Sequence, residues 1–190
     1  MKYDPEKHHR RSIRLKEYDY SQSGAYFITI CVYNRECLFG EIVNGEMRLN
    51  EWGTIVENEL LKTPELRPNV LLDEYVVMPN HIHGIVVIMD NCRGVLQYAP
   101  TRRFRSPSQT IGAIVRGFKS TTTKRINEMR IAPGMPVWQR NYYEHIIRNE
   151  DKLNEIREYI IGNPIKWAED ENNPLNLAVG AGLKPAPTEL

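Results

Sequence analysis

One segment, residues 75–88, constrains this chain more than any other. It consists of an apolar run, a Pro79-Asn80 break and a second apolar run that opens with His81 and His83. Apolar runs on either side of such a break are typical of adjacent antiparallel strands. Side chains alternate between the two faces of a strand, so we expect both imidazoles to lie on one face. Two imidazoles held side by side on a rigid strand can supply half of a metal site, although they can also be ordinary hydrogen-bonded histidines.

The composition is that of a globular domain. The chain has 190 residues, of which 41% are hydrophobic and 26% are charged. No stretch reaches the roughly 18 consecutive apolar residues that a membrane helix needs, and the N-terminus is charged rather than signal-like. The three cysteines, Cys31, Cys37 and Cys92, form no CxxC pair and are odd in number, which favours free thiols in a reducing compartment. We therefore expect a cytoplasmic protein with no membrane contact.

Charge is segregated along the chain, although the net charge is only +1. Residues 1–16 contain six Lys or Arg against two acids, and residues 101–130 contain eight against one. Residues 41–74 compensate with eight acids against three bases. Two basic blocks are typical of a protein with one face for a polyanion, and ordinary solvated faces are the alternative.

The pattern of apolar and turn residues predicts an alternation of strands and helices. Asn44-Gly45 is a two-residue hairpin signal, and Asn50 is a candidate helix cap. We predict strands at residues 26–33, 37–43, 46–49, 70–78, from 81 onward and at 137–147, and helices at 51–62, 110–130 and 150–162. Residues 90–108 are polar and punctuated by proline, which predicts a loop.

This order predicts an α+β fold, with an antiparallel sheet and helices packed on one face. Three regions follow from the same pattern: a flexible basic arm at 1–17, a folded domain at 18–171 and a disordered tail at 172–190, rich in Pro, Gly and Ala.

Two motifs resemble those of a known family. Val77-Met78-Pro79-Asn80-His81-Ile82-His83-Gly84 resembles the His-hydrophobic-His motif of the single-tyrosine transposases, a group that includes insertion-sequence transposases and REP-associated tyrosine transposases. The stretches at 138–149 and 159–166 agree with it in order and distance. The resemblance implies a ferredoxin-like or RRM-like catalytic domain at 18–171. It also implies an Mg or Mn cofactor and cleavage of single-stranded or hairpin DNA, such as a REP hairpin, through a 5′-phosphotyrosine.

The resemblance also implies the roles of particular residues. It makes Tyr159 the nucleophile and His81, His83 and Asn163 the metal ligands. Tyr159 and Asn163 are four residues apart, so they share a helical face if the helix continues that far. A residue that precedes a proline avoids the helical region, and Asn163 precedes Pro164, so the helix could end too early. Tyr142 and Tyr143 are rival nucleophiles.

Basic and polar residues around these motifs are candidate DNA contacts. They are Arg102, Arg103, Arg105, Arg116, Lys119, Lys124, Arg125, Gln139, Arg140 and Lys166. With one nucleophile per chain, either a monomer or a homodimer could act. Two other functions remain open: a non-catalytic RRM-like nucleic-acid binder, and a metal phosphoesterase that uses water.

Overall fold

The computed structural model describes residues 22–89 and 110–177. Two short 3-10 turns, Tyr33–Arg35 and Trp167–Glu169, connect regular elements. The strands are β1 (Gly24–Cys31), β2 (Gly40–Val43), β3 (Glu46–Leu49), β4 (Val70–Val77), β5 (His81–Ile88) and β6 (Tyr143–Ile147). The helices are α1 (Glu51–Leu61), α2 (Thr63–Leu66), α3 (Ile111–Met129), α4 (Glu150–Gly162) and α5 (Pro174–Leu177).

Four strands form one antiparallel sheet in the order β4-β5-β1-β6, and β2 and β3 form a separate hairpin. Asn44 and Gly45 both have positive φ, 54° and 78°, as the predicted two-residue turn requires. The predicted fold class, a ferredoxin-like antiparallel α+β sheet covered by helices, is confirmed.

The alternation of side chains along β1 divides the core into two clusters. Tyr26, Ile28 and Ile30 point into the larger cluster, where apolar residues of α1 and α3 pack against the sheet. Phe27 points to the opposite face and joins a smaller cluster with Ile156 of α4. Helices α1 and α3 therefore share one face, as predicted, while α4 forms an additional layer on the other face.

Side-chain caps fix the starts of the three long helices. The Asn50 side chain accepts hydrogen bonds from the backbone of Trp52 (3.0 Å) and Gly53 (2.9 Å), which confirms the predicted cap of α1. Thr110 caps α3, and Asn149 caps α4. The starts of all three helices therefore follow directly from local sequence.

The strand predicted at residues 137–147 is wrong for its first half. Only Tyr143–Ile147 pairs as a strand, and Trp138 forms an isolated bridge to Val32. In this segment the Lys119 Nζ atom donates to the carbonyls of Gln139 and Asn141, both at 2.8 Å. A side chain of α3 therefore binds the backbone where the sequence pattern predicts a strand.

The described part of the chain continues past the predicted start of the tail. Asn172 and Asn173 are buried, and α5 follows them, so the domain includes at least these two residues of the predicted tail. The backbone carbonyl of Asn172 accepts from the Asn80 side chain, and the Asn173 side chain donates to the Trp167 carbonyl; a composition rich in Pro and Gly does not reveal these contacts. The predicted arm at 1–17, the loop at 90–108 and the rest of the tail lie outside the described residues. Within 22–89 and 110–177, no helix is both long and apolar enough to cross a membrane.

Two helical glycines should respond oppositely to the same substitution. A Cβ atom on Gly53 would lie 2.2 Å from the carbonyl oxygen of Phe39, whereas a Cβ atom on Gly162 would meet nothing within 4 Å. We expect Gly53→Ala to lower the free energy of unfolding by about 1–3 kcal/mol, as overpacking does. Gly162→Ala should leave it unchanged or raise it by up to ~1 kcal/mol. Urea denaturation measures both, and equal effects would contradict the packing described for α1.

Candidate active site

Two histidines lie at the beginning of β5, on the face of the sheet covered by α4. His81 is opposite Cys31 of β1, and His83 is opposite Thr29. Their exposed fractions are 0% and 1%, and their Nε2 atoms face each other at 3.0 Å. The strand geometry predicted from His-x-His is therefore present, and both imidazoles converge on one point.

The tautomer of His81 follows from its neighbour Asn80. The Asn80 Nδ2 group donates to the carbonyls of Arg35 (3.0 Å) and Asn172 (2.7 Å), so its Oδ1 atom must be an acceptor. That Oδ1 atom lies 2.9 Å from His81 Nδ1, which is therefore the protonated ring nitrogen. His81 Nε2 then presents a lone pair to His83, and at 3.0 Å either an N–H group on His83 Nε2 or a cation between the two rings can satisfy this lone pair.

Burial keeps both imidazoles neutral. It lowers the pKa of His81 to about 3, with a further contribution from the nearby positive charge of Arg35. Burial likewise holds the pKa of His83 well below its usual value, and proximity to His81 acts in the same direction. His83 is held by a 2.8 Å hydrogen bond between its Nδ1 atom and the Thr29 hydroxyl, and its ring stacks on Phe27. Neutral, oriented imidazoles are the form that binds metals.

Tyr159 reaches this pair from α4. Its hydroxyl lies 3.4 Å from His83 Nε2, and its ring packs edge-on against His83 and Phe27. Burial raises the pKa of the phenol to about 12, the negative charge of Asp170 adds to this, and the Asn163 amide acts in the opposite direction. The protonated phenol is thus held in place beside the imidazoles.

Asn163 lies one helical turn beyond Tyr159, as predicted. Despite the following proline, its backbone is helical (φ −61°, ψ −43°), so both residues share one face of α4. Its side chain is 3% exposed, and its Oδ1 atom is buried without a hydrogen-bond partner. A buried amide oxygen without a partner is costly unless a cation or donor reaches it.

Asp170 is a site residue that the sequence reasoning missed. Its Oδ2 atom lies 4.0 Å from His81 Nε2, and one ligand atom each from His81, His83 and Asp170 fall within 4.8 Å of one another. The segment around it is anchored by the Asn172 carbonyl, which accepts from Asn80, and by the Glu171 carbonyl, which accepts from Arg35 at 3.1 Å. Asp170 follows a 3-10 turn, where no periodicity marks it as facing the site.

These donors fit a small divalent cation. Two imidazole nitrogens and one carboxylate oxygen form a mixed N/O set within 4.8 Å, which suits ions such as Mn²⁺ and also Mg²⁺ if water completes the shell. The carboxylate supplies charge that the two neutral imidazoles lack. His81, His83 and Asp170 or Asn163 would hold the ion, and Tyr159 would lie beside it.

The rival tyrosines lie differently. Tyr142 packs against the larger core cluster on the far face of the sheet, and its hydroxyl donates to Glu144 at 2.6 Å. Tyr143 is on the same face as the histidines, where its ring packs edge-on against Phe27. Of the three candidate tyrosines, Tyr159 is the one whose hydroxyl contacts His83.

The predicted DNA contacts are distributed over several surfaces. Arg116, Arg140 and Lys166 are exposed, and Gln139 is half-buried. Lys119 is bound to backbone carbonyls, Arg125 forms an ion pair with Glu59, and Lys124 lies 3.8 Å from Glu128. Arg102, Arg103 and Arg105 lie outside the described residues.

Comparison with known proteins places this fold among solved structures. No family model matches the chain. A REP-associated tyrosine transposase bound to a REP hairpin superposes with a TM-score of 0.57 at 19% identity, covering 84% of this chain and 77% of that one. This chain has the fold of a tyrosine transposase. The resemblance carried by the motifs at 77–84, 138–149 and 159–166 is confirmed at the level of the fold.

A relative in sequence is an uncharacterized protein of Haemophilus influenzae strain Rd. The two are 48% identical over 178 residues, which covers 90% of this chain and 96% of the relative. This chain belongs to the same family as that protein.

The two candidate oxygen ligands can be separated by metal titration. We expect Asp170→Asn to weaken Mn²⁺ binding on the order of tenfold or more, because the carboxylate supplies the negative charge of the donor set. Glu171→Gln, a charge removal at the next residue, is the matched control and should bind as the wild type does. Calorimetry or Mn²⁺ electron paramagnetic resonance gives the affinities. If Asn163→Ala abolishes binding while Asp170→Asn does not, the third ligand is Asn163.

Proposed function

We propose that this protein is a metal-dependent DNA strand transferase that cleaves and rejoins single-stranded or hairpin DNA through a tyrosine. The observation that carries the proposal is the 3.4 Å separation between the Tyr159 hydroxyl and His83 Nε2. A nucleophilic oxygen beside a candidate metal centre is the arrangement that transesterification at a phosphate needs. The shared fold with a REP-associated tyrosine transposase supports the same chemistry.

The reaction is an exchange of phosphate esters. The phenolic oxygen of Tyr159 forms a bond to the scissile phosphorus as the bond to the 3′ oxygen breaks. The phenol loses its proton, and the departing oxygen ends as a free 3′-hydroxyl. The 5′ phosphate stays on the tyrosine, so a later hydroxyl can reverse the step and join strands without a nucleotide cofactor.

The residues around the phenol prepare it for this step. The ring of Tyr159 is fixed by edge contacts with Phe27 and His83, so the oxygen does not sample many positions. The Asn163 amide favours the phenolate, against the burial that raises the pKa of Tyr159 to about 12. A bound Mg²⁺ or Mn²⁺ would supply Lewis-acid polarisation of the phosphate and lower the cost of forming the phenolate.

An RRM-like binding role is less favoured by the packing of the sheet. Such domains stack bases on aromatic side chains of an open sheet face. Here α1 and α3 cover one face, and α4 covers the other, with the Phe27 ring buried beneath it. A water-dependent phosphoesterase would not require a tyrosine hydroxyl at the histidine pair, although it uses the same metal ligands.

The substrate we propose is DNA with single-stranded or hairpin character. The solved relative in fold is bound to a REP hairpin, and the basic residues Arg116, Lys124, Arg140 and Lys166 of this chain offer phosphate contacts. We propose that residues 18–171, together with the buried Asn172 and Asn173, form the catalytic unit, acting as a monomer or a homodimer in the cytoplasm.

Removing one oxygen atom should abolish the reaction. In Tyr159→Phe the ring keeps its packing against Phe27 and His83, so stability should change by about 1 kcal/mol or less. Catalysis should disappear, because no nucleophile replaces the hydroxyl. The readout is a protein–DNA band that survives denaturation on a gel, formed with hairpin DNA and Mn²⁺.

Tyr142→Phe and Tyr143→Phe are the matched controls and should still form the band. Loss of the band in Tyr143→Phe, with the band retained in Tyr159→Phe, would transfer the nucleophile to Tyr143. Cleavage by the wild type without any covalent band would favour the phosphoesterase.

The basic residues of α3 should differ in their effect on salt dependence. Arg116 and Lys124 are exposed, whereas the Lys119 ammonium is bound by two carbonyls and has its pKa lowered to about 8 by burial. Neutralising Arg116 and Lys124 should reduce the log–log slope of affinity against salt by roughly 0.7–0.9 for each DNA phosphate that the protein no longer neutralises. Lys119→Met should destabilise the segment at 139–142 and leave the slope close to that of the wild type. An unchanged slope in the Arg116 and Lys124 variants would place the DNA elsewhere, for example beside Arg140 and Lys166.

A further inference from the structure

The helix that carries Tyr159 has a small apolar interface with the rest of the domain. Of the residues of α4, only Ile156 and Ile160 are fully buried, with Leu153 and Tyr159 packed at the edge of the same cluster. The larger cluster, on the other face of the sheet, takes no residue from α4. Burial of these two isoleucines opposes separation of α4 from the sheet. Because they lie in one row along the helix, they oppose rotation of α4 about its long axis only weakly.

A bidentate ion pair provides a second attachment. Arg157 Nε donates to Asp73 Oδ1 at 2.7 Å, and an Arg157 terminal nitrogen donates to Asp73 Oδ2 at 2.5 Å. The other terminal nitrogen donates to Asn154 Oδ1 at 3.0 Å, which orients the guanidinium within its own helix. The Arg157 hydrogen bonds hold the pKa of Asp73 below its usual value, so the pair is charged at neutral pH. Paired, parallel hydrogen bonds of this kind fix direction as well as distance.

The position of Asp73 comes from an irregularity in β4. The pairing register of β4 with β5 shifts between Leu72 and Tyr75, and the Asp73 carboxylate accepts from the backbone of Glu74 at 2.8 Å. Irregularities of this type redirect a side chain out of the regular alternation. Contacts within the edge strand β4 therefore orient the Asp73 carboxylate, in addition to its ion pair with α4.

Helical geometry places this ion pair and Tyr159 on opposite flanks of α4. Successive residues are about 100° apart, so Arg157 lies about 80° to one side of the row formed by Ile156 and Ile160. Tyr159 lies about 80° to the other side. If the attachment at Arg157 is removed, rotation about the isoleucine row moves the phenol relative to His83.

We propose that the Asp73–Arg157 pair is a positioning device for the nucleophile: it sets the rotation of α4 and thereby the distance of the Tyr159 hydroxyl from the histidine pair. This inference rests on the proposed function for its kinetic consequence. Its structural consequence, the attachment of α4 to the edge strand, is independent of that function. Displacements near 1 Å at a reacting atom can cost on the order of a hundredfold in rate.

The test compares Arg157→Met with Lys152→Met in the full chain. Lys152 forms its ion pair with Glu155 of the same helix (2.8 Å) rather than with Asp73 of β4, so it is a matched control for the loss of one positive charge from α4. With hairpin DNA in excess and Mn²⁺ present, Arg157→Met should form the covalent product at least tenfold more slowly. Its affinity for the hairpin should change by less than about twofold, because Arg157 is not among the proposed phosphate-binding residues. Lys152→Met should match the wild type in both.

Charge exchange separates positioning from general damage. Asp73→Arg alone, which faces Arg157 with a like charge, should be at least as slow as Arg157→Met. The double variant Asp73→Arg/Arg157→Asp should recover part of the missing rate. If the rate in Arg157→Met is unchanged, or if the double variant is no faster than Asp73→Arg, the positioning role is wrong.

Amide hydrogen exchange tests the attachment without catalysis. Arg157→Met should accelerate exchange in α4 while the amides of α3 keep their wild-type rates. Acceleration throughout the domain would indicate general destabilisation and overturn the inference. If the wild type forms no covalent product, the proposed function fails, and the exchange experiment alone decides: acceleration confined to α4 supports the attachment, and unchanged exchange in α4 overturns it.

Discussion

Two buried imidazole nitrogens that face each other at 3.0 Å impose the central constraint on this structure. Burial keeps both rings neutral, and the Asn80 oxygen fixes the proton of His81 on Nδ1, so a lone pair points into the space between the rings. This buried lone pair needs a partner, either an N–H group on His83 Nε2 or a bound cation. The packing of Phe27, the Thr29 hydroxyl and the tight Pro79-Asn80 connection maintain it.

The other parts of the site come from distant positions in the chain and are held by different interactions. Helix α4 delivers Tyr159 and Asn163, and it is attached by a small apolar cluster and by the Asp73–Arg157 ion pair. The segment after α4 returns Asp170 to within 4.0 Å of His81 through backbone hydrogen bonds to Asn80 and Arg35. Because these attachments are small, the relative placement of the nucleophile and the candidate ligands depends on a few specific interactions rather than on the main core.

Local patterns in the sequence were sufficient to predict most strands of the sheet, the three long helices and the placement of the two histidines on one face of a strand. The spacing of Tyr159 and Asn163 was also sufficient to predict that they share one face of α4. Pro164 does not prevent this, because the backbone of Asn163 is helical. Asp170 could not be predicted in the same way, since it lies in an irregular segment where orientation depends on tertiary hydrogen bonds. The prediction also failed at residues 137–142, where a lysine from α3 makes tertiary hydrogen bonds to carbonyls that local propensity assigns to a strand. The roles of Tyr159, His81, His83 and Asn163 in catalysis stay predictions.

The histidine pair as a metal centre is the central claim, and anomalous diffraction from crystals of the protein grown with Mn²⁺ tests it most directly. The account predicts one strong manganese peak within bonding distance of both Nε2 atoms, with the Asp170 carboxylate or the Asn163 amide as a further ligand and the Tyr159 hydroxyl beside the ion. An unchanged separation between the two Nε2 atoms, with manganese absent from this point at saturating concentration, would show that the pair is a hydrogen-bonded structural feature and contradict the account.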